Sequence, residues 1–324
     1  MDRTTDSVTP STIDHLGQHD DRDDEPQDVT PLDAELDHEM LEEDHDDLHA
    51  ADLDDDSDLG MSRRVLLRGG VAAGALALGA GSQLLVPGRA EAHGDITVFP
   101  GIGGQRTRYE ATGNFASFGY RPSFHRRMGN WLEFWNTHTP YSKKIVVWSY
   151  GVHTDSRVSE AHNAGRGFDL TRLYPTGTDG KRHLRFSARH DKWKNYGVQA
   201  KRRNRRWYWG TAASIHHHFR NVLTYYYNAD HDNHIHIDNL ESGLHSPSFH
   251  SGSRAQVQHV QACCRWIWGK STTVTGNWNA QTADHTTQVL RRIGRGDGTI
   301  VSSKDNWLAF NTATCRKAYG VQAY

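Results

Sequence analysis

The stretch "SEAHNAGRGFD", from Ser159 to Asp169, decides how this chain is interpreted. It places His162 and Asp169 seven positions apart, and both side chains can ligate a metal ion. Gly165 and Gly167 lie between them, and glycine permits the tight turn needed between a loop that carries the histidine and a strand that carries the aspartate. Two ligands are too few for a stable site, so a third is expected elsewhere in the chain.

The segment "NHIHID", from Asn233 to Asp238, offers that third ligand. Its length and alternation predict a strand, in which residues two apart share a face, so His234 and His236 point the same way. Imidazoles and a carboxylate suit Zn²⁺, with bonds of about 2.0–2.1 Å. Three protein ligands leave a fourth position for water, whose pKa zinc lowers to about 7. The residues therefore predict a zinc site built from distant segments.

The surrounding sequence predicts an α+β fold, with a small antiparallel sheet and flanking helices carrying the zinc site. A helix is expected within 124–142, and buried strands are expected at 143–153 and 168–174. The very basic region 176–211 is interpreted as surface, and 211–228 as helical. The helix within 124–142 is expected to face the core with Met128, Trp131, Leu132 and Trp135. The three histidines His216–His218 are expected at the surface or supporting the metal site, not as ligands.

Together the motifs resemble a known group of enzymes. "SEAHNAGRGFD" resembles the H-x-x-G-x-x-x-D pattern of zinc peptidases related to D-Ala-D-Ala carboxypeptidases. "HDNHIHID" (231–238) resembles the H-x-x-H-x-H-[LIV]-D segment of their extensin-like C-terminal branch. The wider group includes lysostaphin-type endopeptidases and the hedgehog signalling domain. The resemblance covers roughly residues 110–240.

The resemblance implies roles for individual residues. His162, Asp169 and His236 would be the zinc ligands, and His234 would lie beside the metal, polarising substrate or stabilising the oxyanion. Many of these carboxypeptidases carry a glutamate, the general base, three residues before the last ligand, where this chain has Asn233. Asp230 and His231 are the alternative bases, since either could reach the zinc-bound water through a hydrogen bond.

Arg157, just ahead of the first motif, is a candidate for binding a substrate carboxylate, because arginine makes paired hydrogen bonds to carboxylates. A solvated surface arginine is the alternative.

The N-terminal region predicts export. Residues 1–60 hold 23 Asp or Glu, two Arg and no aromatic residue, which predicts an acidic disordered leader, or a start of translation at Met61. Residues 61–92 resemble a twin-arginine signal peptide, with Arg63 and Arg64 before an apolar run and "AEA" before His93. The mature protein is therefore expected outside the cytoplasm, associated with the cell wall and without a transmembrane segment.

Charge and composition suggest partners for the mature chain. From His93 onward there are 31 Lys or Arg against 15 Asp or Glu, which favours peptidoglycan or another anionic wall polymer; in an exported protein no nucleic acid is expected. An N-terminal "HG" also resembles the copper-binding start of lytic polysaccharide monooxygenases, so a copper oxygenase using His93 is a remote alternative.

The C-terminal part is expected to be a separate unit. A zinc peptidase-like domain over 93–245, a Ser- and Gly-rich linker over 246–254 and a helical domain over 255–324 are predicted. Residues 255–324 resemble the small peptidoglycan-binding domain, through the features Thr275, Gly276, Trp278, Thr282, Asp305 and Trp307. Cys315 could form a disulfide with Cys263 or Cys264 in an oxidising environment.

These observations favour an exported zinc metallopeptidase that cleaves amide bonds in peptidoglycan peptides, as a carboxypeptidase or an endopeptidase. The alternative from another class is a non-catalytic, zinc-stabilised protein that binds the cell wall.

Overall fold

A computed structural model describes residues 96–141, 144–152, 159–240 and 247–324. These residues form a mixed α+β fold, which confirms the predicted fold class. The leader 1–60, the twin-arginine segment 61–92 and His93 lie outside the described residues.

The strands are β1 (Thr97–Phe99), β2 (Gly101–Ile102), β3 (Gln105–Tyr109), β4 (Phe118–Tyr120), β5 (Ile145–Gly151), β6 (Gly167–Pro175), β7 (Phe186–Ser187), β8 (Asn221–Leu223) and β9 (Ile235–Asp238). The helices are α1 (Pro122–Thr137), α2 (Glu160–Asn163), α3 (His190–Trp193), α4 (Val198–His216), α5 (Arg254–Trp266), α6 (Ala280–Arg292) and α7 (Lys304–Ala318), with a 3₁₀ turn at Ala229–His231. None of the helices in the described ranges has the length and apolarity required to cross a membrane.

The main sheet has seven strands in the order β2-β3-β5-β6-β9-β8, with β7 paired to β6. Its pairs are antiparallel except for β3 and β5, which run parallel. This parallel pair departs from the predicted purely antiparallel sheet. The chain between these strands contains α1, and a helical crossover of this kind is what parallel pairing requires. Strands β1 and β4 form a separate two-stranded antiparallel sheet.

Helix α1 packs its apolar stripe into the core, as its spacing predicts. The four predicted core residues are all buried: Met128, Trp131, Leu132 and Trp135. The indole of Trp131 also donates a hydrogen bond to Ser214 of α4 (Nε1–Oγ 2.9 Å), and that of Trp135 donates to Thr211 (Nε1–Oγ1 3.3 Å). The polar atoms of both large rings are therefore satisfied inside the core.

Helix α4 corrects two predictions. The basic region 176–211 is not only surface, because it includes most of this central helix, whose last nine residues are buried. The predicted helix over 211–228 ends at His216, and β8 follows it. Small residues allow this burial: a Cβ added at Gly210 would lie 2.4 Å from the Cβ of Ala318 in α7. Close packing of neighbouring elements on α4 therefore buries a segment whose polar composition predicts a surface position.

The C-terminal helices pack on α4 and share its core. Each of α5, α6 and α7 begins with a side-chain cap, in which Ser253, Asn279 or Ser303 accepts a backbone hydrogen bond. The predicted linker 246–254 contains Phe249, which is buried against Trp278 and Trp307 at ring distances of 4.9 and 5.4 Å. The described part of the predicted linker therefore packs against the C-terminal helices through Phe249.

The disulfide that the sequence would permit between Cys315 and Cys263 or Cys264 is not formed. All three cysteines are free and buried. The sulfur of Cys263 lies 3.9 Å from the main-chain oxygen of Trp209, whereas that of Cys315 lies 4.0 Å from the main-chain oxygen of His138. The two thiols therefore face different neighbours, and Cys264 is likewise unbonded.

Candidate metal centre

Three elements meet at the centre of the sheet to bring the predicted ligands together. His162 lies in α2, which Ser159 caps by accepting a hydrogen bond from the His162 amide (3.5 Å). Asp169 lies in β6, between Gly151 of β5 and His236 of β9, and pairs directly with both in the register of the sheet.

Two glycines make this convergence sterically feasible. Gly165 has φ +62°, and a Cβ there would lie 2.5 Å from Ile96 Cδ1 and 2.8 Å from the amide nitrogen of Arg121. A Cβ on Gly167 would lie 3.1–3.2 Å from the backbone nitrogen and the ring of His162. The turn between α2 and β6 therefore requires Gly165, and Gly167 lets the His162 ring lie against the strand.

The donor atoms of the three residues form a small triangle. Oδ1 of Asp169 lies 2.9 Å from Nδ1 of His236 and 3.2 Å from Nε2 of His162, and the two imidazole nitrogens are 3.2 Å apart. Both histidines are buried and the aspartate is half-buried. This His–Asp–His group could hold one metal ion.

Hydrogen bonds behind the triangle orient both imidazoles. Nδ1 of His162 donates to the carbonyl of Val152, so Nε2 presents a lone pair to the centre. Nε2 of His236 donates to Oδ2 of Asp238 (3.2 Å), so Nδ1 is the nitrogen that faces the centre. The second carboxylate oxygen of Asp238 accepts from Asn221 Nδ2 (3.2 Å) and from the amide of Leu240 (3.0 Å). Such outer contacts fix the tautomer and direction of a metal-binding histidine.

Electrostatics favour a cation at this point. Burial alone would raise the pKa of Asp169, but the imidazoles of His234, His162 and His236 outweigh it and hold the pKa well below its usual range. Burial also opposes charging of His236, yet its hydrogen bonds to Asp169 and Asp238 raise its pKa to about 9. The metal-free centre therefore holds a carboxylate and a proton on His236, and a bound ion would displace that proton.

His234 lies beside the triangle without being part of it. Its Nε2 is 3.5 Å from Oδ1 of Asp169, and its Nδ1 donates to Oδ1 of Asn233 (2.7 Å). The Tyr150 ring meets it edge-on at 6.2 Å, and burial lowers the pKa of His234. His234 is therefore a neutral imidazole next to the candidate metal position.

The two other predicted bases lie farther out. The ring of His231 is 5.1 Å from that of His234 and 6.1 Å from that of His236, and burial, with these neighbouring imidazoles, lowers its pKa to about 3. Asp230 is exposed and accepts a hydrogen bond from Asn228 (3.3 Å). Arg157, the predicted substrate-binding residue, lies outside the described residues.

Sequence reasoning missed the supporting residues. Asp238 follows His236 by two positions on the same strand, so strand alternation could have indicated it. Val152 and Asn221 act through a main-chain oxygen and a cross-strand contact, for which the sequence carries no local signal. The predicted surface position of the triple histidine is wrong for His216. This last residue of α4 is fully buried, and its ring lies 4.1 Å from that of His259 in α5.

No protein-family profile, curated protein or solved structure matches this chain.

Proposed function

We propose that the chain is an exported zinc-dependent hydrolase that cleaves amide bonds in the peptides of bacterial peptidoglycan, of the D,D-carboxypeptidase or endopeptidase type. The triangle of donor atoms from His162, Asp169 and His236 carries the proposal. The substrate class rests on the two sequence motifs, on the twin-arginine segment and on the basic charge of the chain from His93 onward.

Zinc fits the donor set best. Two imidazole nitrogens and a carboxylate oxygen are among its usual ligands, and tetrahedral bonds of about 2.0 Å separate neighbouring ligand atoms by about 3.3 Å. The separations of 2.9–3.2 Å in the triangle are close to this value. With three protein ligands, a fourth position stays open, as in catalytic zinc sites. When bound, zinc lowers the pKa of water in that position towards about 7 and polarises a substrate carbonyl.

His234 is the residue placed to move the proton. Its Nδ1–H is engaged by Asn233, so Nε2 carries the lone pair and faces the centre. Because burial keeps the imidazole neutral at pH 7, Nε2 would accept a proton from the water that attacks the amide. As an imidazolium it would donate a hydrogen bond to the developing oxyanion and then pass the proton to the departing amine nitrogen. We assign this role to His234 because its Nε2 lies 3.5 Å from Asp169, whereas the ring of His231 is 6.1 Å from that of His236 and Asp230 is exposed.

The test combines metal analysis with digestion of purified muropeptides. The protein should bind about one zinc per chain, and His162→Ala should lose both the metal and the hydrolysis. His183→Ala is the matched control, because His183 pairs with Asp179 on an exposed loop, and it should keep both. Zinc binding without release of any product, at high enzyme concentration and long times, would refute the hydrolase.

Variants of the three candidate bases test the assignment. His234→Gln should lower kcat with zinc retained, and it should remove the acidic limb of the pH–rate profile, whereas Asp230→Asn should leave both unchanged. If His231→Gln instead removed the acidic limb of the pH–rate profile, His231 would be the proton acceptor.

A non-catalytic zinc protein that binds the cell wall is the second candidate. Asn233 favours it, because an amide at this position cannot act as a base and instead accepts the hydrogen bond of His234. Sedimentation of the protein with purified cell walls, without hydrolysis of muropeptides, would support the non-catalytic candidate.

A further inference from the structure

Cationic side chains from three helices, α4, α5 and α7, gather on one surface. The basic face consists of Arg202, Arg205, Arg206, Arg265 and Lys317. The first three lie on α4, where Arg202 and Arg206 are exposed and Arg205 is half-buried. Arg202 precedes the other two by three and four residues, spacings that place it next to both. Arg265 lies near the end of α5 and Lys317 near the end of α7.

Direct contacts join these helices into one surface. The guanidinium of Arg205 lies 4.1 Å above the ring of Trp266 in α5, and that of Arg265 lies 4.7 Å from the same ring. Arg206 donates a hydrogen bond from Nη2 to the main-chain oxygen of Lys317 (3.1 Å). The basic face is therefore continuous across α4, α5 and α7.

No described carboxylate neutralises the positive charge of this face. Within the described ranges, none of its five cations forms an ion pair with a carboxylate. In contrast, Arg172 of β6 and Arg189 both pair with the buried carboxylate of Glu110, at 2.9 and 2.8 Å. Burial lowers the pKa of Lys317, and nearby Arg292 and Arg206 lower it further. Like charges so close together favour binding of an anion.

Aromatic rings on this face are covered by the cations. Arg205 and Arg265 both lie over the ring of Trp266. The Lys317 ammonium lies 5.4 Å from the ring of Trp268, which is buried. A guanidinium stacked on a ring can still present the N–H groups of its edge to phosphate oxygens. Nη1 of Arg265 donates to the main-chain oxygen of Thr272 (3.3 Å), which leaves its other N–H groups for this contact. Single-stranded nucleic acids instead use open aromatic rings on which bases stack. The basic face therefore favours a ligand that is recognised by its charge.

We propose that the basic face binds a linear phosphodiester polymer of the poly(glycerol phosphate) type. Phosphates repeated along a flexible backbone can follow the cations from α5 across α4 to α7. This binding is independent of the metal centre and of the proposed hydrolysis, so either can fail without the other.

The test is the affinity of the purified protein for poly(glycerol phosphate), measured by fluorescence anisotropy. Raising salt from about 50 to about 200 mM should weaken binding roughly tenfold or more, because counterions are released on binding. Arg206→Glu with Arg265→Glu should weaken binding at least about tenfold and reduce the salt slope by about 2. The milder pair Arg206→Gln with Arg265→Gln should give an intermediate loss at an unchanged melting temperature.

The matched control is Arg126→Glu with Arg182→Glu. Both residues are exposed, the change in net charge is the same, and neither lies on α4, α5 or α7. The control should bind like the wild type, and all variants should keep the zinc content of the wild type. An equal loss of binding in the control, or no binding by the wild type at low salt, would overturn the proposal. Equal or tighter binding of single-stranded DNA or of phosphatidylglycerol vesicles through the same residues would overturn it in favour of those ligands.

Discussion

His236 and Asp238 are joined by a hydrogen bond on the side of the imidazole that faces away from the metal centre, with Nε2 and Oδ2 3.2 Å apart. Asp238→Asn should weaken the proposed zinc binding by about 10- to 100-fold. The carboxylate accepts hydrogen bonds on both oxygens, from His236 on one and from Asn221 and Leu240 on the other, whereas an amide has a single acceptor oxygen. Competition with a chelator measures the affinity. Asp179→Asn on the surface is the control, and equal affinities of the two variants would contradict the expectation.

Gly165→Ala should destabilise the fold by about 2–4 kcal/mol, through positive φ and a steric clash together. The new methyl group would contact Ile96 and the backbone of Arg121. Gly104→Ala separates the two effects, because Gly104 also has φ +74° but has open space around it, so it should cost about 1 kcal/mol. Urea denaturation measures both. Similar losses for the two variants would show that packing at Gly165 contributes little.

Acid should destabilise the junction between α4 and the C-terminal helices. Burial lowers the pKa of His259 to about 4 and that of His216 well below its usual value. The unfolded chain, whose histidines have pKa values near 6.5, therefore binds more protons than the folded chain between pH 6.5 and about 4. Stability should fall as pH decreases through this window, by about 1 kcal/mol per pH unit for each histidine.

The variant His216→Leu isolates one of these groups. Neither ring nitrogen of His216 has a hydrogen-bond partner among the described residues, so leucine removes two unsatisfied polar atoms and a titrating group. Its free energy of unfolding should depend less steeply on pH than that of the wild type. Parallel pH dependences in the two proteins would exclude His216 as a source of acid sensitivity.

All three thiols should be present but unreactive in the folded protein. Burial raises the pKa of Cys264 to about 12 and also raises the pKa values of Cys263 and Cys315, so almost no thiolate is available. A thiol reagent should label three cysteines after denaturation and essentially none before it, and reductant should leave the melting temperature unchanged. Two labelled cysteines fewer in the denatured, unreduced protein would instead reveal a disulfide.

Local patterns predicted the parts of the fold that depend on local geometry. The apolar spacing of Met128 and Trp131 placed α1 in the core, and the alternation around His236 predicted β9. The glycines at 165 and 167 predicted the turn between His162 and β6, although His162 lies in the short helix α2 and not in the expected loop. In each case the information lies within a few residues of the element that it describes.

The remaining features depend on distant partners. The polar sequence of α4 conceals its burial, because the elements that cover it come from β-strands, α1 and the C-terminal helices. The same holds for His216, whose neighbour His259 lies 43 positions later in the chain. In the candidate site, residue type and strand alternation left both His234 and His236 as possible ligands, and the resemblance to zinc peptidases selected His236, which forms the triangle with His162 and Asp169. The support from the Val152 carbonyl was not predicted, since any residue supplies a carbonyl.

The pairing of Asp169 with His236 across β6 and β9 has a consequence for assembly. Side chains alternate between the two faces of a sheet, so a slip of one residue would place Ile235 or Ile237 opposite Asp169 and turn His236 to the other face. An ion held between these strands would then be lost. Binding of the ion would thus stabilise only the correct register of β6 and β9. Chains with a register shifted by one residue would stay without the ion and could still rearrange.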